Sequence, residues 1–396
     1  MNKKIISLSA IIIIVIALGV AAYFIFRNPK TGEEPVPTAS LPTGVGFGAS
    51  PSATAGGSVL PSAGLNDVIS SLHVIASGKI LAFWPAATTT LQYFTNEGFY
   101  EVDYTRAPIV PEKKDLGINF NTILSADPSG AGKVLIKYVA SGSTQPAYSV
   151  LDIATRELKN LDLNVKSAAW SPDGQNIIFY YSDSPIYYQE GATEQQYLGQ
   201  MNKDLAKKKT LINFQAASDI QLRWPTTTAV YISQKPSGYA NQTVLSFDPK
   251  NIIFKPFAEG NGLILKWNDT ASYGLLFSTS DAGKAPTLKL INKEAIVIGA
   301  FPKLTLPEKC VFSHKAAALY CAVPSEFSLT AVWPDDYYQA AFNTEEAIYQ
   351  INPESLEAQP LISSAIFEVS GIDLNQDESA LIFYDKTSSK LYGLEL

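Results

Sequence analysis

Residues 168–181, AAWSPDGQNIIFYY, combine an aromatic residue, a turn-forming tetrapeptide and an unbroken apolar run. Proline fixes φ at the first corner of a tight turn, aspartate tolerates the second corner, and glycine supplies a positive φ. The run 177–181 is apolar at every position, which is expected of a strand that is covered on both faces. The stretch therefore predicts a β-hairpin.

The same pattern recurs along the chain: an aromatic or apolar anchor, a polar turn, and an apolar run that starts five to eight residues later. Most anchors are separated by about 43 to 54 residues, and a unit of roughly 40–50 residues fits a four-stranded propeller blade. The anchors are Trp170, Trp224, Trp267, Phe312 and Leu374, with weaker copies at Ala126 and near Ala76.

We therefore predict an all-β fold, a seven-bladed β-propeller over residues 66–396, with six or eight blades as the range. The final unit supplies three strands, and the segment near 68–75 is expected to add the fourth and close the ring. Two segments, 182–196 and 325–343, are too long for a plain blade and are predicted to be loop insertions. A β-sandwich followed by a second β domain stays open as an alternative, because the first two copies are weak.

The segment WSPDGQNIIF at 170–179 resembles the repeat of TolB-type, WD40-like β-propellers. The resemblance covers about residues 66–396 and implies a fold more than a function, because this scaffold hosts many activities. The segments KCVFSHKAAALYCAVP and WPDDYYQ are also similar to segments of uncharacterised, single-pass propeller proteins from candidate-phylum bacteria. Those relatives have no assigned activity to carry over.

The N-terminal part of the chain predicts a membrane anchor. Residues 5–26 are uncharged and, as a helix, would rise about 33 Å, enough for a hydrocarbon core of about 30 Å. Residues 1–4, with Lys3 and Lys4, are expected to be cytoplasmic, which places the C-terminal body outside the cytoplasm. Cleavage as a signal peptide after 19–21 stays open. Residues 27–65 are rich in Pro, Gly, Ser and Thr and predict a disordered linker.

The composition excludes several classes of function. The formal net charge is −7 and no basic stripe is present, so no nucleic-acid partner is expected. His73 and His314 are the only histidines, no Gly-x-Ser-x-Gly motif occurs, and no zinc-ligand spacing exists. We therefore predict no catalytic constellation, metal or cofactor. Residues 373–379 begin like a calcium loop, but Glu378 and Tyr384 occupy its sixth and twelfth positions, so an ordinary turn is expected.

Cys310 and Cys321 are the only cysteines, and they lie almost symmetrically about a predicted turn at 314–315. A hairpin would place them on neighbouring strands, and outside the cytoplasm such a pair predicts a disulfide. Two buried thiols are the alternative.

The two insertions carry the candidate binding residues, because aromatic and acidic side chains on loops of a rigid scaffold suit recognition. They are Tyr187 and Tyr188 in the first insertion, and Trp333, Asp335, Asp336, Tyr337 and Tyr338 in the second. The alternative is that these aromatics pack back over a blade edge. We predict a membrane-tethered, extracytoplasmic scaffold that binds a protein, a peptide or an envelope glycan. The alternative is a hydrolase or lyase whose carboxylates meet in the central cavity, since distant residues of a propeller can converge there.

Overall fold

The computed structural model describes residues 71–116, 122–130, 132–140, 142–183, 195–216 and 219–396. These residues form 27 strands arranged in antiparallel sheets. Their helical elements are one short α-helix, α1 (Asp335–Tyr338), and the 3-10 turns Asp281–Gly283 and Pro307–Lys309. The chain is therefore nearly all-β, as predicted.

The first described strand, β1 (Leu72–Ser77), is followed by three sheets that each consist of four consecutive strands. Their strands are β2 (Ile80–Pro85), β3 (Thr90–Thr95), β4 (Gly98–Asp103) and β5 (Glu112–Lys114); β6 (Thr122–Pro128), β7 (Lys133–Val139), β8 (Pro146–Asp152) and β9 (Glu157–Asn160); and β10 (Val165–Trp170), β11 (Asn176–Ser182), β12 (Gln196–Asn202) and β13 (Lys209–Asn213).

A seven-stranded sheet follows, and its middle strand serves two partners. Its strands are β14 (Ile220–Thr226), β15 (Ala229–Gln234), β16 (Asn241–Asp248), β17 (Ile253–Trp267), β18 (Gly274–Thr279), β19 (Thr287–Ile291) and β20 (Val297–Ala300). Residues 253–261 of β17 pair with β16, and residues 261–267 pair with β18. One strand of 15 residues thus ends one group of four strands and begins the next.

The last two sheets contain the C-terminal strands and close the arrangement. One consists of β21 (Cys310–Phe312), β22 (Leu319–Pro324), β23 (Glu346–Ile351) and β24 (Ala358–Phe367). The other is formed by β25 (Val369–Leu374), β26 (Ala380–Asp385) and β27 (Lys390–Glu395), with β1 as its fourth strand.

The pairing of β1 with β27 confirms the predicted closure by N- and C-terminal strands. Leu72 lies opposite Leu394, and Ser77 lies opposite Lys390. The anchor near Ala76 was therefore wrong, because that residue belongs to the closing sheet. Trp84, near the end of β2, takes the place of the first anchor and is buried. A β-sandwich followed by a separate domain does not describe this closure, since one sheet joins both ends of the described chain.

The hairpin of β10 and β11 forms as its turn chemistry predicts. Trp170 lies opposite Ile177, and Gly174 has φ +64°. The Asp173 carboxylate accepts hydrogen bonds from Ser171 Oγ at 2.5 Å and from the Gln175 N–H at 3.0 Å. A Cβ on Gly174 would lie 2.1 Å from the carbonyl oxygen at position 129, in the turn of the preceding sheet. Glycine is thus required both by its φ and by the close approach of the two sheets.

The core lies between the faces of successive sheets. One cluster joins Trp84 and Phe94 to Ile136 of the next sheet, and others join each later pair in the same way. Four of the predicted anchors, Trp170, Trp224, Phe312 and Leu374, are buried in these clusters. Trp267 is partly buried and packs against Tyr231 at a ring-centroid distance of 5.0 Å. The anchors therefore hold neighbouring sheets together.

Within the described residues, no helix is long and apolar enough to cross a bilayer. The predicted anchor at 5–26 and the predicted linker at 27–65 lie outside those residues.

Candidate functional site

The first strands of successive sheets lie side by side and surround the site. Strand β2 contacts β6 and β25, β10 contacts β14, and β21 contacts β25. Side chains connect two further pairs of neighbours: Trp170 Nε1 donates to the Asp127 carbonyl at 2.9 Å, and Lys266 Nζ donates to the Cys310 carbonyl at 2.5 Å. These strands therefore form the wall of a common central space.

A cavity of about 330 Å³ opens in this space, among β2, β6, β25 and the 3-10 turn that precedes β21. Three carboxylates from three different elements line it: Asp127 of β6, Glu308 of the turn and Asp373 of β25. A concave site with a few convergent polar groups is the default candidate for ligand binding. Its volume lies at the lower end of the range typical of small-molecule pockets.

Burial alters the acid–base chemistry of Asp373. Burial raises the pKa of Asp373 to about 6, while the hydrogen bond from the Leu374 N–H and the charge of Lys266 oppose that rise. The Leu374 bond measures 2.9 Å. The side chain retains some contact with solvent through the cavity. Asp373 can therefore exchange a proton close to neutral pH.

Two cationic residues, Lys266 and Arg223, influence these carboxylates without lining the cavity. Lys266 lies on β17 and Arg223 lies on β14, each one residue before an anchor tryptophan. Burial lowers the pKa of Lys266, and the negative charges of Asp373 and Glu308 oppose that change.

Glu308 connects the cavity to the second predicted insertion. The Tyr338 hydroxyl donates a hydrogen bond to Glu308 Oε2 at 2.9 Å. Burial raises the pKa of Glu308, and the bond from Tyr338 and the charge of Lys309 oppose that effect. Tyr338 remains 40% exposed. The insertion and the cavity, which sequence analysis treated as separate candidates, therefore meet at this pair.

The other aromatics of that insertion fold back onto the sheets. Trp333 is only 2% exposed, and its Nε1 donates to the Ser328 carbonyl at 2.9 Å. Its ring stacks on Phe327 and lies edge-on to Phe342 at a centroid distance of 5.1 Å. Tyr337 lies 6.0 Å from the Trp333 ring. The alternative of packing over a blade edge describes Trp333, and a role of Trp333 in ligand contact stays a prediction.

Asp335 and Asp336 of the insertion are held by backbone N–H groups and a serine hydroxyl. Asp335 accepts hydrogen bonds from the Gly238 N–H at 2.6 Å and from Ser237 Oγ at 3.0 Å. Asp336 accepts one from the Val332 N–H at 2.8 Å. Asp335 therefore fastens the insertion to the loop between β15 and β16, which keeps Tyr338 in place above Glu308.

Close backbone contacts make this attachment rigid. A Cβ on Gly238 would lie 2.4 Å from both Gly283 Cα and the Trp333 carbonyl oxygen. Gly283 donates to the Gly238 carbonyl at 3.0 Å and accepts from the Trp333 N–H at 3.0 Å. Three loops from three neighbouring groups of strands thus interlock at one point.

The remaining predicted residues have two outcomes. Tyr187 and Tyr188 lie outside the described residues. The disulfide between Cys310 and Cys321 is confirmed, since the two residues face each other across β21 and β22 with a Cα–Cα distance of 4.1 Å. The disulfide braces the strand whose Cys310 carbonyl accepts the bond from Lys266.

Sequence analysis missed the cavity carboxylates, although a signal existed for Asp373. It lies one residue before an anchor, next to Ile372 in a strand with no other charged residue. A charge is costly in such a position unless it meets a partner or a water-filled space. Asp373 was noticed only as part of a turn.

In the described part of the chain, no group of three or more His, Cys, Asp or Glu side chains could hold a metal ion. The three cavity carboxylates therefore do not form a metal centre of that kind.

The chain has been compared with known proteins. No protein-family model matches it, and no curated protein matches it in sequence. An oligogalacturonate lyase in complex with manganese has a similar structure, with a TM-score of 0.56 and 9% identity over 82% of this chain and 90% of that chain. An oligogalacturonate lyase from Vibrio parahaemolyticus has a TM-score of 0.54 and 8% identity over 81% of this chain and 91% of that chain.

TolB from Acinetobacter baumannii is also among the similar structures, with a TM-score of 0.41 and 14% identity over 80% of this chain and 62% of that chain. That TM-score is too low to support an argument. At such low identities the likeness to the lyases concerns the fold alone. The neighbours are β-propeller proteins, and together with the four-stranded antiparallel sheets they support the prediction of a β-propeller. The similarity to candidate-phylum proteins stays a prediction.

Proposed function

We propose that this protein is a seven-bladed β-propeller that binds a protein, a peptide or an envelope glycan at its central cavity. The observation that carries the proposal is the convergence of Asp127, Glu308 and Asp373 on one cavity of about 330 Å³. These residues lie far apart in sequence and come from three different elements, so only a central binding site gives them a common role. The blade count follows if the seven-stranded sheet is counted as two blades that share β17.

We further propose that residues 5–26 tether the propeller to the membrane, with the propeller outside the cytoplasm. The disulfide supports this location, because disulfides persist in oxidising compartments and are rare in the cytosol. Fusion of a periplasmic activity reporter to the C-terminus tests the topology: an active reporter is expected, and an inactive reporter with a stable fusion protein would contradict it.

The rigid insertion supports a role in recognition at the cavity. Tyr338 is exposed, bonded to Glu308 and fixed by Asp335, so it can contact a ligand without a large loss of side-chain freedom. Tyr239, on the loop that Asp335 holds, is 68% exposed and offers a second aromatic side chain nearby.

A pull-down from crosslinked membranes, with the full chain as bait, tests the proposal. We expect one dominant envelope protein or glycan, whose capture falls when Glu308→Gln and Asp373→Asn are combined. The matched control combines Glu97→Gln with Asp162→Asn, which neutralise carboxylates on the hairpin turn between β3 and β4 and on the connection from β9 to β10. Equal capture by the two double variants would show that the cavity is not the binding site.

A carboxylate-dependent hydrolase or lyase is the second candidate, because Asp373 lines the cavity with a pKa displaced toward neutrality. Burial raises the pKa of Asp373 to about 6, which suits a general acid or base. A screen against polysaccharides and peptides is expected to find turnover with a limb of the pH profile near 6 that Asp373→Asn removes. Turnover that persists in that variant would exclude Asp373 from the chemistry.

A further inference from the structure

The turn between β16 and β17, residues 248–253, exposes two isoleucines, and we call it the isoleucine turn. Ile252 and Ile253 are 37% and 47% exposed. Ile252 has φ +56°, a left-handed conformation that is an outlier for a β-branched residue. Within the described residues, neither isoleucine belongs to a cluster of the hydrophobic core. An outlier that no packing compensates supports a hypothesis of function.

Two other turns of the same type show that the fold does not require isoleucine there. In residues 152–157 and 352–357 the first side chain also accepts hydrogen bonds from the N–H groups two and three positions later, and the fifth residue also has a positive φ. In one of them the fifth residue is the exposed Arg156. In the other it is Leu356, which packs on the core so closely that a Cβ on Gly299 would lie 2.4 Å from it. Ile252 has neither the polarity of the first nor the packing of the second.

A second group of exposed apolar residues lies on the neighbouring sheet. Ile296, Val297 and Ile298, at the start of β20, are 61%, 50% and 44% exposed. Burial raises the pKa of Tyr231 on β15 to about 12, and the charge of Glu294 adds to that rise. The turn before β20 therefore lies beside the group of strands that contains the isoleucine turn. Exposed apolar patches mark contacts with proteins or membranes.

Both groups lie on the face at which the described chain begins. The His314 N–H donates to Glu378 at 2.6 Å, and His314 Nδ1 lies 3.2 Å from Asp269 Oδ2, so the turns between the first and second strands of three successive sheets meet on one face. Antiparallel pairing brings the turns between the third and fourth strands to the same face. Leu72 lies opposite Leu394, so the chain also enters β1 there. We call this surface the entry face.

Lysines flank the apolar residues on the entry face. Lys250 in the isoleucine turn, Lys255 just after it and Lys293 before β20 are exposed. The carboxylates of the two turns are engaged locally: Asp248 accepts two N–H groups of its own turn at 2.9 and 3.1 Å, and Glu294 Oε1 lies 3.7 Å from Lys293 Nζ. Exposed isoleucines beside lysines suit the interface of an anionic bilayer. Other turns of the entry face carry further carboxylates, which confine this contact to one part of the rim.

We propose that the isoleucine turn and the start of β20 dock onto a bilayer that contains anionic phospholipid. The chain reaches the entry face from the residues proposed as the tether, so a bilayer lies near this face. The second insertion joins β22 to β23 and lies at the opposite face, so docking directs Tyr338 away from the bilayer. The inference goes beyond ligand binding at the cavity and relies on the proposed tether only to bring the entry face to a bilayer.

Quenching of a fluorophore by lipid tests the docking in proteoliposomes that contain the full chain. Ile253→Cys supplies a single free thiol for labelling, since both native cysteines form the disulfide. Glu157→Cys, at the corresponding position of the turn between β8 and β9, is the matched control. In vesicles of equal parts phosphatidylcholine and phosphatidylglycerol, a quencher near the lipid headgroup is expected to act at least about twofold more strongly at position 253 than at position 157. In phosphatidylcholine alone this difference should disappear.

Further variants separate docking from folding. Ile252→Asn should weaken the quenching at position 253 and keep or raise the thermal unfolding midpoint, because asparagine adopts a positive φ more readily. Lys250→Gln combined with Lys255→Gln should also weaken the quenching. Lys79→Gln combined with Lys235→Gln, which removes exposed charges on the opposite face, should leave it unchanged.

Equal quenching at the two labelled positions, or quenching at position 253 that is the same in both lipids, would overturn the inference. If the chain stays with the vesicles and position 253 is not quenched, the docking is wrong and the tether stands. A chain that is lost from both kinds of vesicle contradicts both. Capture of an envelope partner through the cavity is independent of all these outcomes.

Discussion

Asp373→Asn is expected to raise the unfolding free energy of the protein at neutral pH. The increase is expected to be smaller in acid. The folded-state pKa of Asp373 is raised from 3.8 to about 6, so the folded protein holds a proton on this carboxyl that the unfolded chain releases. Stability is therefore lost as the pH rises from about 4 to about 6, and the loss is complete above that window. Asparagine keeps the shape of the side chain and removes the charge.

The size of the effect follows from the displacement of the pKa. A rise from 3.8 to about 6 corresponds to at most about 3 kcal/mol of unfolding free energy at 1.36 kcal/mol per unit. Solvent in the cavity screens part of this electrostatic effect. We therefore expect Asp373→Asn to raise the unfolding free energy by about 2 kcal/mol at pH 7.5 and by close to zero at pH 4. Urea unfolding of the full chain, followed by tryptophan fluorescence at both pH values, measures it.

Asp152→Asn provides the matched control of opposite sign. The hydrogen bond from Lys133 lowers the pKa of Asp152 in the folded protein to about 2. The ionised Asp152 therefore stabilises the fold at pH values above the unfolded pKa, and this stabilisation is lost as the pH falls toward 2. The same substitution there should destabilise the protein at pH 7.5 by roughly 1–2 kcal/mol. A loss of stability in Asp373→Asn at pH 7.5 would refute the reasoning, because it would mean that the ionised carboxylate is satisfied inside the cavity.

Three further predictions concern the fold. Replacing both cysteines by serine removes a cross-link with a sequence separation of 11 and should lower the unfolding free energy by roughly 2–3 kcal/mol, measured by urea unfolding without reductant. Lys309→Met alone should destabilise the protein by about 3–5 kcal/mol because it leaves Glu346 buried and unpaired, whereas adding Glu346→Leu should recover most of that loss in thermal unfolding. Gly174→Ala should cost clearly more stability than Gly130→Ala, since both positions have a positive φ but only the first lacks room for a Cβ.

Each of these has an outcome that contradicts it. Addition of reductant to the wild-type protein should reproduce the loss seen in the cysteine variant, and an unchanged midpoint would show that the cross-link constrains little. A Lys309→Met variant as stable as the wild type would mean that the hydrogen bonds from Thr344 and the Val369 N–H compensate the burial of Glu346. Equal losses of stability in Gly174→Ala and Gly130→Ala would show that the positive φ, and not the lack of room for a Cβ, causes the destabilisation.

The aromatics of the second insertion show a limit of sequence analysis. Trp333 and Tyr338 are five residues apart and equally aromatic, yet one is buried among Phe327 and Phe342 and the other points its hydroxyl at Glu308. Local sequence does not determine which side of a loop meets the sheets. That depends on Gly238 and Gly283, which come from other groups of strands and permit the close approach.

The sequence by itself determined the repeat, the hairpins, the closing strand and the disulfide. Turn chemistry, unbroken apolar runs and a short cysteine spacing act between residues close in the chain, so each leaves a local signature. Only the tertiary structure decided the site. Asp127, Glu308 and Asp373 lie on two strands and a turn that are far apart in sequence, and they line one cavity because the first strands of successive sheets lie side by side. No local pattern encodes that convergence, because it depends on how distant strands pack.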